Sequence, residues 1–258
     1  MTKFKTLLST TAALALSACG GSGDGSATSP TTQPPVVLSE FADGSGVARV
    51  ETREDGADYV GNVMAANIAD ASVDDDVVAD LSDLVFVGSN QYGDFFAGAV
   101  TVDGLPIDVI GYIDTSDQAL ILYGEDSTEN VLLTLGEKAQ NIPTTGSFTY
   151  QGTNVIGTRD GAFFEDGTFA MSVNFGNGTA SISGSTDTST IGGTGITVNI
   201  SDGSFSSSNL ILTDTFDDVS FPATLHGNFH GSGATAVTGI YYNNDPNPFV
   251  AGAIAGTR

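Results

Sequence analysis

The sequence predicts an all-β protein, with a C-terminal eight-stranded antiparallel β-barrel of the soluble kind preceded by a smaller, mainly-β domain. Three observations predict it. Glycine is abundant at 33 residues, tryptophan is absent, and apolar stretches are short and broken by Gly, Asn and Asp. That composition suits short strands joined by tight turns. Apolar and polar residues alternate with period two through much of the second half. Acidic residues concentrate in the first half, which separates two modules.

The chain opens with a leader. Met1–Lys5 is basic, Leu7–Leu16 is apolar, and Leu16-Ser17-Ala18-Cys19 follows. A basic start, a short apolar run and small residues before a cut site define a secretory signal over residues 1–18. The run is too short to span a membrane. Leu-Ser-Ala-Cys resembles the lipobox of bacterial lipoproteins, which implies cleavage between Ala18 and Cys19 and lipidation of Cys19, the sole cysteine. Each buried CH₂ contributes about 0.8 kcal/mol, so two or three acyl chains hold a soluble domain to a bilayer. Gly20 follows the cysteine, where an aspartate would resemble an inner-membrane retention signal, so the outer membrane is expected. Residues 19–35 are rich in Gly, Ser, Thr and Pro and form a flexible tether.

Residues 36–139 carry 21 of the 31 acids against three bases, and residues 140–258 carry nine against two. The boundary falls at the turn-rich Asn141-Ile142-Pro143-Thr144-Thr145-Gly146. In the first module Ala97–Val102, Asp103-Gly104 and Leu105–Ile113 read as a hairpin. Ala119–Tyr123 and Asn130–Leu135 read as further strands, and Val73–Val87 reads as a short helix or a loop.

The second module carries the clearer pattern. Phe169, Met171, Val173 and Phe175 alternate with Thr168, Ala170, Ser172 and Asn174, which marks a strand with one buried face. Gly176-Asn177-Gly178 turns the chain into Thr179–Ser183, making a hairpin. Ile196, Val198 and Ile200 repeat the alternation, and Asp202-Gly203 turns into Phe205–Thr213. Ala223, Leu225, Gly227 and Phe229 then alternate with Thr224, His226, Asn228 and His230. Thr235–Tyr242 and Phe249–Ala255 end the chain, and Gly146–Arg159 begins the module. About eight strands in up-and-down order close into a barrel, which removes exposed edges. A membrane-spanning barrel is not expected, because it needs aromatic girdles and longer strands.

The chain carries a formal charge of −24, and removal of Lys3 and Lys5 with the leader takes it to −26. Nucleic acid and anionic lipid headgroups both need clustered cations, so those partners are excluded. No Gly-x-Ser-x-Gly and no P-loop occur. Gly231–Ala236 mimics a nucleotide-binding loop but lies between two strands, so it reads as a hairpin turn. Asp74-Asp75-Asp76 and Asp217-Asp218 lack the spacing of an EF-hand and read as solvated loops. His226 and His230 share one face of a strand about 13 Å apart and read as surface histidines. No catalytic residue, metal or cofactor is expected, and among 31 acids no carboxylate pair stands out for glycoside hydrolysis.

The C-terminal stretch Gly227-Asn228-Phe229-His230-Gly231-Ser232-Gly233-Ala234 through Gly239-Ile240-Tyr241, with the final Gly252–Arg258, resembles the last strands of the barrel of transferrin-binding protein B and related surface lipoproteins. An aromatic residue between glycines leads a turn, a glycine-containing strand follows, and the last strand ends on a basic residue. The resemblance covers residues 145–258. It implies a single lobe, with residues 36–139 as the handle-like domain beside the barrel. It also implies a surface-exposed binding lipoprotein that captures a host or environmental ligand, iron- or haem-related or another nutrient. Such capture would involve a TonB-dependent receptor as partner. His230 stands where the family often has Tyr, and only one lobe fits the length, so transferrin itself is not the expected ligand. The alternative is a structural or adhesive surface module.

Overall fold

The structure, a computed structural model, describes residues 44–52, 60–67, 77–78, 85–102, 105–114, 119–125, 129–137, 139–158, 164–243 and 250–258. Eight strands form an open antiparallel sheet: β1 (Gly44–Thr52), β2 (Val60–Asn67), β3 (Val77–Val78), β4 (Val85–Asn90), β5 (Gly93–Val102), β6 (Leu105–Asp114), β7 (Ala119–Glu125) and β8 (Glu129–Glu137). Their order is β2-β1-β8-β7-β6-β5-β3, with β4 also paired to β5. The hairpin over β5 and β6 and the strands β7 and β8 lie where the alternation and turns predict them.

The stretch Val73–Val87 departs from its expectation of helix or loop, because Val77–Val78 and Val85–Val87 are strand. Val85-Phe86-Val87 has no alternation to read, and a register shift between Phe86 and Gly88 breaks the period. β-Branched and aromatic residues still favour extension once β5 offers a ladder.

Eight further strands close a barrel: β9 (Ser147–Thr158), β10 (Phe164–Asn174), β11 (Thr179–Ser185), β12 (Ser189–Asn199), β13 (Ser204–Asp214), β14 (Val219–His230), β15 (Ala236–Asn243) and β16 (Val250–Thr257). Each pairs antiparallel with the next, and β16 returns to β9 with Val250 opposite Thr158 and Thr257 opposite Gln151. The all-β class, the closed eight-stranded barrel and the sheet before it agree with the sequence reading.

The alternating apolar residues point inward. Phe169, Met171, Val173, Ile182, Phe205 and Leu225 are among the buried residues that fill the barrel. Thr168, Ser172, Ser183 and Ser185 point outward and are exposed. This polarity is opposite to that of a membrane-spanning barrel.

Glycines make room inside. Gly227 lies opposite Gly239, and the Phe205 ring occupies the space where a Gly227 Cβ would stand. The Tyr241 side chain passes over Gly252 of β16, and its hydroxyl donates to Asn154 Oδ1 on β9 at 2.7 Å.

The sheet lies on the outer face of β9, β15 and β16. Tyr112, Ile121 and Leu132 pack against Val155, Ile240 and the alanines 251, 253 and 255. The C-terminal strand is therefore buried on both faces, which is why Val250–Ala255 shows no polar alternation. Small outward side chains let the sheet approach closely. Tyr123 sits directly over Gly157, where a Cβ would collide with its ring.

Candidate functional site

Ala18 and Cys19 lie outside the described residues, as do Asp74, Asp75 and Asp76. Asp217 and Asp218 lie in the exposed turn 215–218 between β13 and β14. Among the described residues no group of three His, Cys, Asp or Glu side chains is placed to hold a metal ion.

The reading of the two histidines as a surface pair is corrected for one of them. His226 lies on the outward face, half-buried, stacked on the Tyr242 ring with centroids 6.2 Å apart and planes 13° apart. His230 is 0% exposed, and its Nε2 lies 2.7 Å from Thr238 Oγ1. Both rings point outward from β14. At the His230 end, however, β1 and β8 lie against β14 and β15. Alternation identifies the face of a strand, and only packing decides whether that face is covered.

The residues that carry the family resemblance form a stopper at one end of the barrel. Phe229 is the hub: its ring lies 5.2 Å from those of Phe175 and Phe205 and 5.8 Å from that of Tyr150. Residues Gly231 to Ala234 make the expected turn, with positive φ at Gly231, Gly233 and Ala234. The Tyr150 hydroxyl donates to Ala234 O at 2.6 Å. Arg258 donates to Gly233 O at 2.7 Å and lies 3.7 Å from the Phe148 ring centroid. The incoming chain seals this end, since Gly233 N donates to Gln140 O at 2.6 Å. Ile142 packs on the same core. These residues pack into and tie together the end of the barrel, so their motif reports fold. Among the described residues, the barrel's own side chains fill its interior.

The described residues also present groups on the outside. At the end opposite the stopper, the β13–β14 hairpin projects Phe216, which is 86% exposed, with Val219 at 42% at the base of the turn and Ile211 at 50% further back along the hairpin, opposite Pro222. The turn is held by Asp214 Oδ1, which accepts from Phe216 N at 2.8 Å and Asp217 N at 3.1 Å. The tip is thus a preformed apolar point rimmed by carboxylates. Single exposed apolar residues are ordinary, but an exposed aromatic on a hydrogen-bonded turn is a low-entropy contact.

Two clefts lie on the outer wall. One, of about 280 Å³, is lined by Thr197, Ser206, Asn209, Thr224 and His226. It forms where the β12–β13 pairing is interrupted between Gly192 and Thr197, with Gly195 at φ +74°. The other, of about 330 Å³, runs beneath Tyr92 and is lined by Gln151, Thr168, Ser183 and Ser185. Sequence reasoning singled out neither cleft. The signals present were the glycines at 192, 193 and 195 for the first and the Asn90-Gln91-Tyr92-Gly93 turn for the second.

No family model matches the sequence, and no curated protein is significantly similar to it. Solved structures do share its fold. Intact Ap-TbpB, with its N and C lobes, superposes with a TM-score of 0.53 at 13% identity, covering 82% of this chain and 45% of that one. Transferrin-binding protein B of Haemophilus parasuis gives 0.53 at 15% identity, covering 82% and 44%. The isotype 1 protein of serogroup B Neisseria meningitidis gives 0.50 at 11% identity, covering 83% and 43%. The chain thus spans less than half the length of these structures. It has a transferrin-binding protein B-like fold, a barrel with a β-sheet beside it; at such identities the likeness is one of fold.

Proposed function

We propose that this chain is a non-enzymatic binding lipoprotein of the outer membrane, displayed at the cell surface by acyl chains on Cys19. On this reading residues 1–18 are removed, residues 19–35 are the tether, and residues 36–139 and 140–258 are the handle-like and barrel domains. The module captures an iron- or haem-related ligand or another nutrient and hands it to a TonB-dependent receptor.

The observation that carries the reading is the filled barrel with a stoppered end. Such a scaffold offers its outer wall and the loops of its other end, where Phe216 projects. Aromatic side chains on preformed turns are common anchors of binding surfaces. The fold shared with proteins named for binding transferrin supports a protein or cofactor ligand over a reaction.

Two experiments test it. Cys19→Ser is expected to release the protein from membranes or leave an unprocessed precursor; an unchanged acylated, membrane-bound product would overturn the anchor. The full chain is then titrated with haem and passed over immobilised haemoglobin. A Soret shift or retention supports capture. Attachment to intact cells alone would favour an adhesive module, and robust turnover of an ester or glycoside panel would replace the non-enzymatic reading.

A further inference from the structure

The cleft beside Tyr92 combines an uncharged polar floor with a tyrosine at its edge. Its floor is the outward face of β9, β10 and β11. The ladder places Thr168 opposite Ser185 and Ala170 opposite both Gln151 and Ser183. The floor is thus two adjacent rows of hydroxyl and amide side chains, with Ala170 between Gln151 and Ser183, on the barrel's outer wall. Gln151, Thr168, Ser183 and Ser185 are all exposed.

The wall is Tyr92, at the tip of the β4–β5 turn. That turn is fastened to the barrel. Asn90 Nδ2 donates to Thr153 Oγ1 at 3.0 Å, while Asn90 Oδ1 accepts from Tyr92 N at 2.8 Å and Gly93 N at 3.1 Å. One side chain therefore shapes the turn and pins it beside the floor, so the ring stands at a set position over it.

Among the described residues no charged side chain lines the cleft, in a chain with 31 acids and 7 bases. An ionic ligand finds no counter-charge there, and an apolar one finds a polar floor. Hydroxyls and a carboxamide both donate and accept, which matches a ligand whose groups do the same. An aromatic wall matches a ligand with one apolar C–H face. At about 330 Å³ the cleft is at the small end of ligand sites. A neutral sugar has all three properties. We propose that this cleft binds a neutral glycan, with one ring stacked on Tyr92 and its hydroxyls bonded to Gln151, Thr168, Ser183 and Ser185. The cleft shares no lining residue with the Phe216 hairpin, so sugar binding and capture through Phe216 are tested by different variants.

The test uses the full chain, isotopically labelled and titrated separately with chitobiose, maltotriose, lactose and mannobiose, each to about 10 mM, a range that reads millimolar affinities. At least one is expected to give saturable amide shifts clustered at residues 151, 168, 183 and 185. Tyr92→Ala should weaken that binding about tenfold, the scale of one aromatic contact, and Tyr92→Phe should retain it. Ser183→Asp, at an exposed position that leaves the turn intact, should abolish it by placing a charge on the floor. No saturable shift with any of the four sugars would overturn the proposal. So would binding that Ser183→Asp leaves unchanged in a folded protein.

Discussion

Phe229 illustrates how one side chain serves several elements. It stands between glycines at the end of β14, and three aromatic rings converge on it within 6 Å. Phe229→Ala is expected to cost about 3–5 kcal/mol, the range for a large aromatic removed from a packed core, as read from urea denaturation. A loss below about 1 kcal/mol would show that the stopper is dispensable. Two tyrosines give a pH prediction. Burial pushes the hydroxyls of Tyr150 and Tyr112 well above their usual range, partly offset by Arg258 at the first and by Thr153 at the second. Unfolded tyrosine ionises near pH 10, and the folded groups ionise later. Their contribution to stability is therefore whole below about pH 10 and is lost as pH rises further. Denaturation midpoints that stay level between pH 9 and about 11.5 would contradict this.

At the scale of elements, the β13–β14 hairpin separates stability from binding. Asp214 holds its turn, and Phe216 makes no core contact at 86% exposure. Phe216→Ser is expected to change stability by less than about 0.5 kcal/mol while lowering retention of the captured ligand. Loss of both together would mean that the hairpin tip is structural. The barrel strands were legible because period-two alternation and Gly-containing turns are local signals. Three pieces were not. β1 pairs with β8 across most of the sheet sequence, and nothing local announces such a partner. In β12, Gly192, Gly193 and Gly195 interrupt the alternation where the register with β11 shifts. In β4 a run of three apolar residues conceals the period.

For the molecule as a whole, the decisive contact is that of sheet on barrel. It depends on small residues on the barrel's outer face, with Tyr123 seated on Gly157. Gly157→Val is expected to cost about 1–3 kcal/mol, as overpacking does. Because the clash falls on the interface, protease should cut first within residues 85–137 while the barrel persists. Simultaneous loss of sheet and barrel would show that the two fold as one unit. The same contact hides His230 and carries Tyr92 to the edge of the cleft.

The sequence by itself determined that the chain is all-β, that residues 147–257 close as an up-and-down barrel, and which side chains point inward. Those properties follow from local alternation and from turn chemistry. Tertiary structure alone decided which outward faces meet water. His230 and His226 occupy equivalent positions in the alternation, yet one is sealed beneath the sheet and the other lines a cleft. Gln151, Thr168 and Ser183 read as ordinary solvated strand residues until a turn more than 50 residues upstream sets Tyr92 beside them. A strand's own residues encode its two faces; what covers a face is supplied by chain distant in sequence, and no local pattern records it.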